Sequence, residues 1–165
     1  MVIIVFGLPG SGKSYFAGRL AKSLDAIYVS SDIERKKLIS QRKYTFSEKM
    51  MVYDRMFELM EIAIKDGKSI VLDATFYRNS IRNCFIQKAT ELGQTALFIE
   101  VTAKTETIKK RLSKKREHSD ADYSIYLSLK KSFEPLRQNH LALSSDDDIE
   151  DMLESGLNYI NKKNE

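Results

Sequence analysis

Residues 7–14 read GLPGSGKS and match the pattern G-x-x-x-x-G-K-[ST]. In a chain of 165 residues a chance match is about a 1% event. The spacing has a chemical reason. Glycines let the backbone curl until successive N–H groups face the same phosphate oxygens. A helix opening near Lys13 adds its positive end. Gly7, Leu8, Pro9, Gly10, Ser11 and Gly12 supply this cradle, and Tyr15 stands directly behind it. Lys13 is expected to reach the β- and γ-phosphates, and Ser14 to place its hydroxyl on Mg²⁺. A glycine turn before an ordinary helix is the alternative, but the strand–loop–helix setting argues against it. The expected ligands are a nucleoside triphosphate (ATP, with GTP as the alternative) and Mg²⁺.

What such a site does depends on its neighbours. In SIVLDAT (69–75), Asp73 closes an apolar run, where a carboxylate holds Mg²⁺ directly or through water. A strand-terminal Asp in a turn is the other reading. Ala74 follows, not Glu, so the acid that polarises water in many ATPase motors is missing. The guanine-reading N-K-x-D is missing too. A kinase remains, in which a substrate hydroxyl replaces water.

A kinase needs a carboxylate for the acceptor hydroxyl, a cation for the acceptor and a cationic lid that excludes water. In SSDIER (30–35), Asp32 and Arg35 are three apart near a helix start, at the sheet edge where ligands bind in this class of fold. Asp32 is placed to be the base, and Arg35 to clamp an acceptor phosphate bidentately. Ser31-x-x-Glu34 also reads as a capping box, so a cap plus a solvated arginine is the alternative. The lid candidate is RLSKKREHSDAD (111–122). Arg111 or Arg116 would reach the γ-phosphate, with Arg116 preferred because it lies nearer the polar turn. A solvated basic helix end would look the same.

The elements that must position these residues follow from periodicity. VIIVF (2–6), AIYVS (26–30), SIVLDAT (69–75), TALFIEVT (95–102) and, more weakly, HLALS (140–144) read as strands. Helices are expected over 13–24, from 31, over 47–65, 80–92, 104–117 and 120–133, and from Ser145 as N-cap to the C-terminus. Tyr53, Met56, Met60, Ala63 and Ile64 form one apolar stripe. Strands alternate with helices without linker or repeat. That predicts one α/β domain over 1–165, a parallel sheet with helices on both faces and a small helical lid.

Composition excludes several classes. The chain is 42% hydrophobic and 30% charged, as globular proteins are. No apolar run is long enough to span a membrane, and MVIIVFGLPG reads as a first strand, not a signal peptide. A cytoplasmic location is expected. Cys84, the single cysteine, reads as a helix packing residue. The net charge of +4 names no partner, but its placement is informative. Residues 34–43 hold five basic residues and one acid, and residues 104–116 hold seven and one. A basic rim suits a polyanionic acceptor, although lysines that attract ATP would also produce it. Tyr44, Phe46, Phe76 and Tyr77 could stack bases or belong to the core.

GLPGSGKS, SSDIER, VLDAT and RLSKKREHSDAD, in this order over about residues 1 to 135, resemble the polynucleotide kinase-like branch of the P-loop kinases. The resemblance implies that Lys13 and Ser14 hold ATP and metal. It implies that Asp32 is the general base, that Arg35 binds acceptor phosphate, that Asp73 is the strand-three aspartate and that Arg116 is the lid arginine. Where the family often reads Asp-x-Thr-Asn, Phe76 replaces the Asn. Arg78 and Arg82 follow, with Arg78 a candidate substrate contact. The leading expectation is transfer of the γ-phosphate to a polynucleotide 5′-hydroxyl. A small-molecule kinase is the alternative, and an ATP-binding accessory or switch protein the second. The sequence is silent on oligomeric state.

Overall fold

A computed structural model describes residues 1–40, 43, 45–113 and 123–164, apart from the Asn164 side chain. Arg116, Tyr44 and most of the 111–122 segment lie outside the described residues.

The strands are β1 (Val2–Phe6), β2 (Ile27–Ser30), β3 (Ile70–Ala74), β4 (Ala96–Thr102) and β5 (Leu141–Ser144). Between and after them come α1 (Lys13–Ser23), α2 (Ser31–Leu38), α3 (Phe46–Lys65), α4 (Asn79–Glu91), α5 (Thr105–Leu112), α6 (Tyr123–Ser132) and α7 (Ile149–Asn164). The sheet runs β2-β3-β1-β4-β5, and each pairing is parallel. This is the α/β arrangement expected from the alternation, with helices on both faces.

β1 and β3 are buried at every position because both faces are covered, which is why they read as unbroken apolar runs. Val2, Ile4 and Phe6 face a core that holds Met56, Met60 and Phe85 of α3 and α4. Ile3 and Val5 face the opposite core, with Phe16 and Leu20 of α1 and Met152 and Ile160 of α7. Each such side chain contributes about 1.5–3 kcal/mol. No helix among the described residues is long and apolar enough to cross a membrane.

Three local expectations are corrected. The Ser31/Glu34 capping box does not form. Chain direction changes immediately after β2, so Ser31 is already helical and Ser30 is the cap residue, without a side-chain cap bond. Glu34 instead meets Lys37 at 2.6 Å and Arg55 of α3 at 3.8 Å. Cys84 is exposed, because α4 turns Ile81, Arg82, Phe85 and Ala89 inward. Ser145 does not cap the last helix. α7 starts at Ile149, and Asp148 Oδ1 accepts the Glu150 N–H at 2.8 Å.

Candidate active site

The phosphate loop leaves β1 at Phe6 and enters α1 at Lys13. Two of its glycines are demanded by close neighbours. Gly7 has φ +153°, and a Cβ there would lie 2.3 Å from the Val101 carbonyl oxygen. Gly12 has φ +90°, and its Cβ would lie 2.8 Å from Ser145. Ser145 follows β5, and its hydroxyl donates to the Ser11 carbonyl at 2.6 Å. Arg111 of α5 donates through Nη1 to Ser145 Oγ (2.7 Å) and the Gly10 carbonyl (3.1 Å), and through Nη2 to the Ser145 carbonyl (3.0 Å). Because a trans peptide sets C=O and N–H in opposite directions, tying the Ser11 carbonyl to Ser145 turns the Gly12 N–H away from that tether.

β3 lies directly beside β1, with Asp73 in register with Val5 on one side and Ser30 of β2 on the other. Asp73 is buried. The Tyr28 phenol donates to its Oδ2 at 2.8 Å, while Oδ1 is buried with no hydrogen-bond partner among the described residues. The Ser14 and Ser30 hydroxyls lie against the same phenol. Burial, and then the Asp73 charge and hydrogen bond, raise the Tyr28 pKa far above that of an ordinary phenol, so it stays a donor. A serine hydroxyl and an unsatisfied carboxylate oxygen in one corner are the hard donors that suit Mg²⁺. That ion completes its shell with water and phosphate and needs no larger protein cage. The described residues contain no cluster of three or more His, Cys, Asp or Glu that could form one.

A cavity of about 630 Å³ opens from this corner. Lys13 and Ser14 line it, and so do Asp32, Arg35 and Lys49. Asp32 and Arg35 come from the first turns of α2, and both line the cavity. Leu129 and Ser128 of α6 line it as well. A second cavity, of about 530 Å³, shares Lys13, Ser14 and Tyr15 and extends past Arg111 and Ser145 to Asp147 and Met152. Tyr15 is mostly exposed, with the Arg19 guanidinium 4.0 Å from its ring centroid.

The loop after β3 is strained. Phe76, fully buried, has φ +45°, a conformation that costs a bulky residue about 1–3 kcal/mol. It is held there from both sides. Its N–H donates to the Tyr53 hydroxyl at 3.1 Å, and its carbonyl accepts from Arg82 Nε at 2.6 Å. Phe76 is therefore a core residue. Tyr77 is also buried but lines the larger cavity, and Phe46 is exposed. Arg78 is exposed, at the start of α4, with its guanidinium 5.3 Å from the Tyr77 ring centroid and 5.8 Å from that of Phe46. Sequence patterns did not point to Tyr28, Lys49 or Ser145. Tyr28 alone offered a signal, as a polar-tipped residue two before the end of a strand that ends beside the loop.

A glycine-rich loop between β1 and α1, an aspartate on the adjacent parallel strand and helices on both faces define a P-loop nucleotide-binding fold of the kinase type. The chain matches the AAA domain family (AAA_33) over residues 2–136 and belongs to it. Its fold is shared by an unliganded sugar kinase from Janibacter sp. HTCC2649, with TM-score 0.75, 19% identity, and 96% of this chain and 93% of that chain covered. It is shared by the Mycobacterium tuberculosis APS kinase CysC in complex with AMPPNP and APS, with TM-score 0.74, 15% identity and 97% of both chains covered. It is also shared by Chaetomium thermophilum Kti12 in complex with ADP-AlF3, with TM-score 0.67, 23% identity, and 96% and 98% covered.

Proposed function

We propose that the chain is an ATP- and Mg²⁺-dependent kinase that phosphorylates a hydroxyl of a small acceptor carrying an anionic group. The observation that carries this reading is one cavity lined both by Lys13 and Ser14 of the phosphate loop and by Asp32 and Arg35 of α2. Phosphates belong at the loop, where Lys13 and the N–H groups of the α1 start meet them. The second cavity, beyond Gly12 and Arg111, suits the nucleoside. Ser14 and Asp73 Oδ1 are the groups to hold Mg²⁺, which when bound neutralises charge on the phosphate oxygens. Asp32 accepts the proton of the acceptor hydroxyl as its oxygen bonds to the γ-phosphorus, and ADP leaves with the electrons of the broken P–O bond. Arg35 holds the acceptor's anion. A lid arginine, Arg116 by the sequence reading, belongs over the γ-phosphate.

Size favours a small acceptor over a strand end. The cavity of about 630 Å³ must take the terminal phosphate as well as the acceptor, and whole drug-sized ligands fill about 300–1,000 Å³. That leaves room for a sugar- or nucleoside-sized molecule. The fold relatives include sugar and APS kinases, which agrees. A polynucleotide 5′-hydroxyl is the second reading, supported by Lys37 and Lys43, exposed lysines on and just beyond α2. The deciding experiment is an acceptor screen with γ-labelled ATP over phosphorylated and free sugars, nucleosides, tRNA and 5′-hydroxyl oligonucleotides. Label in a small phosphorylated alcohol supports the first reading, and label in oligonucleotides alone the second. ATP binding with no transfer to any acceptor would leave the accessory or switch protein.

A further inference from the structure

We propose that the acceptor cavity seats a nucleobase-like ring, planar and heteroaromatic, and that Tyr53 reads it by donating its hydroxyl hydrogen to a ring nitrogen or carbonyl. This rests on the kinase reading and narrows its substrate class, from a sugar- or nucleoside-sized alcohol to a nucleotide with a free hydroxyl. Tyr53 is then the residue that sets acceptor specificity.

Tyr53 is 8% exposed and lines the cavity from α3. Its oxygen accepts the Phe76 N–H at 3.1 Å, and no described residue accepts its hydrogen. With the acceptor role filled, the hydroxyl offers a ligand its hydrogen. Its pKa is raised above that of an ordinary phenol, mainly by burial, so the proton stays on. The ring is fixed in place, its centroid 5.3 Å from that of Phe76 and 6.3 Å from that of Phe85. Backbone strain supports the same arrangement. Phe76 sits at φ +45°, with its carbonyl held by Arg82 and its N–H given to Tyr53. A buried phenol ordinarily finds a partner for its hydrogen, and strain of this kind gathers where side chains are oriented for a ligand.

The surroundings decide what kind of molecule takes that hydrogen. Val52, Tyr53 and Tyr77 belong to one buried apolar cluster, Leu129 of α6 packs against it, and all four line the cavity. Ile33 and Ile125 line it too. Apolar lining of this kind rewards burial of the faces of a flat ring. A sugar would set its hydroxyls against hydrocarbon, where they lack partners. An aliphatic tail would suit the hydrocarbon but give Tyr53 no acceptor. A ring with a nitrogen or carbonyl in its plane satisfies both, and a nucleobase is such a ring. Among the polar lining residues, Lys13, Ser14, Asp32 and Arg35 are already engaged in the proposed transfer. Thr75 and Ser128, which also line the cavity, remain for the ribose.

Direct binding with Mg²⁺-AMPPNP filling the nucleotide site tests this. The probes are the 3′- and 5′-monophosphates of adenosine, guanosine, cytidine and uridine, with ribose 5-phosphate as the ligand that lacks the ring. At least one nucleotide should bind saturably without displacing AMPPNP. It should bind at least about tenfold more tightly than ribose 5-phosphate, a difference of ~1.4 kcal/mol. Tyr53→Phe keeps the aromatic ring and removes the hydrogen. It should cut that preference at least about fivefold, while the affinities for ribose 5-phosphate and AMPPNP stay within about twofold. A merely structural role would not produce that split. Leu129→Ser, at a half-buried position, should cut the preference as well, and it decides the matter if Tyr53→Phe does not fold. No nucleotide bound beside AMPPNP, no preference over ribose 5-phosphate, or a preference unchanged in the deciding variant would overturn the proposal. These outcomes are separate from the kinase reading. Failure to label any acceptor sinks the kinase and leaves the ring seat standing or falling on these affinities alone.

Discussion

The Tyr28 phenol donates a 2.8 Å hydrogen bond to Asp73 Oδ2 across 45 residues of sequence. This bond occupies one carboxylate oxygen and leaves Oδ1 buried and unsatisfied among the described residues, while the Ser14 and Ser30 hydroxyls lie against the phenol. A partner of this kind fixes the orientation of a metal ligand, and its loss typically costs about 10–100-fold in metal affinity. With Asp73 in the proposed Mg²⁺-holding role, Tyr28→Phe is expected to raise the Mg²⁺ concentration needed for half-maximal ATP-dependent activity by about tenfold or more, and to cost about 1–3 kcal/mol of stability because the buried Asp73 carboxylate loses its donor. An Mg²⁺ titration at fixed ATP measures it. An unchanged midpoint would show that Asp73 orientation does not depend on Tyr28.

The brace behind the loop should be equally measurable. Ser145→Ala removes the donor to the Ser11 carbonyl and one acceptor of Arg111, leaving part-buried groups unpaired at about 1–3 kcal/mol. For a chain of this size, a loss of about 2 kcal/mol lowers Tm by about 4–8 °C. Nucleotide affinity should fall as well, because the Gly12 peptide loses its tether. Saturating ATP should then stabilise the variant less than wild type. Calorimetry with and without ATP separates the two effects.

Much of this frame was legible in the chain. VIIVF and SIVLDAT announce buried parallel strands because both faces are covered. GLPGSGKS announces its loop because its glycines answer local sterics. Asp32 and Arg35 both reach the cavity, as a spacing of nearly one helical turn allows. What could not be read is contact between distant strand ends. Ser145 meets Ser11 134 residues away and Arg111 meets Gly10 across 101, and no local period encodes either. The same blindness made Ser145 look like a helix cap and Glu34 half of a capping box. Each short motif was real as a pattern, but other partners took the side chains: Ser11 and Arg111 for Ser145, Lys37 and then Arg55 for Glu34. Phe76 looked like a departure in an acceptor loop, yet it is a core residue whose backbone conformation only the packing reveals.

Arg82 should be among the costliest residues to replace. It has no exposed surface and donates to the Phe76 carbonyl (2.6 Å), Asn79 Oδ1 (2.7 Å) and the Glu134 carbonyl (2.6 Å). It therefore joins the strained loop to the segment after α6. Arg82→Met leaves these acceptors without their donor, at about 1–3 kcal/mol each before relaxation. A total loss of at least about 3 kcal/mol in urea unfolding is expected. A loss below about 1 kcal/mol would mean that the guanidinium is not the clamp it resembles.

Acid stability should report on Asp146. The Thr107 hydroxyl (2.6 Å), and then the Lys104 N–H (2.7 Å), hold its carboxyl below the ordinary value of 3.8. A carboxylate whose pKa is depressed by folding adds stability above its unfolded pKa and loses it as pH falls through the folded one. The contribution of Asp146 is thus complete above about pH 4 and fades below that. Asp146→Asn should flatten the fall of Tm between pH 4 and lower pH, and lie below wild type at neutral pH. Parallel Tm–pH curves would contradict this.

The role of Asp32 is the sharpest point on which the chemistry can fail. The residue lies in the first turn of α2 and lines the same cavity as Arg35, Lys13 and Ser14. It lies outside the loop that cradles phosphates, so Asp32→Asn keeps the side-chain shape and removes the carboxylate proposed as proton acceptor. Loss of a general base costs about 10²–10⁴-fold in rate, and that range is expected for kcat on the best acceptor found. ATP affinity should stay near wild type, because no phosphate contact is touched. Arg35→Met should behave differently, raising the acceptor KM more than it lowers kcat, because an anion clamp acts in ground state and transition state alike. If Asp32→Asn retained full transfer, the base would have to be sought elsewhere and the kinase geometry proposed for this cavity abandoned. If it lost ATP binding along with transfer, Asp32 would belong to the nucleotide site and not to the acceptor.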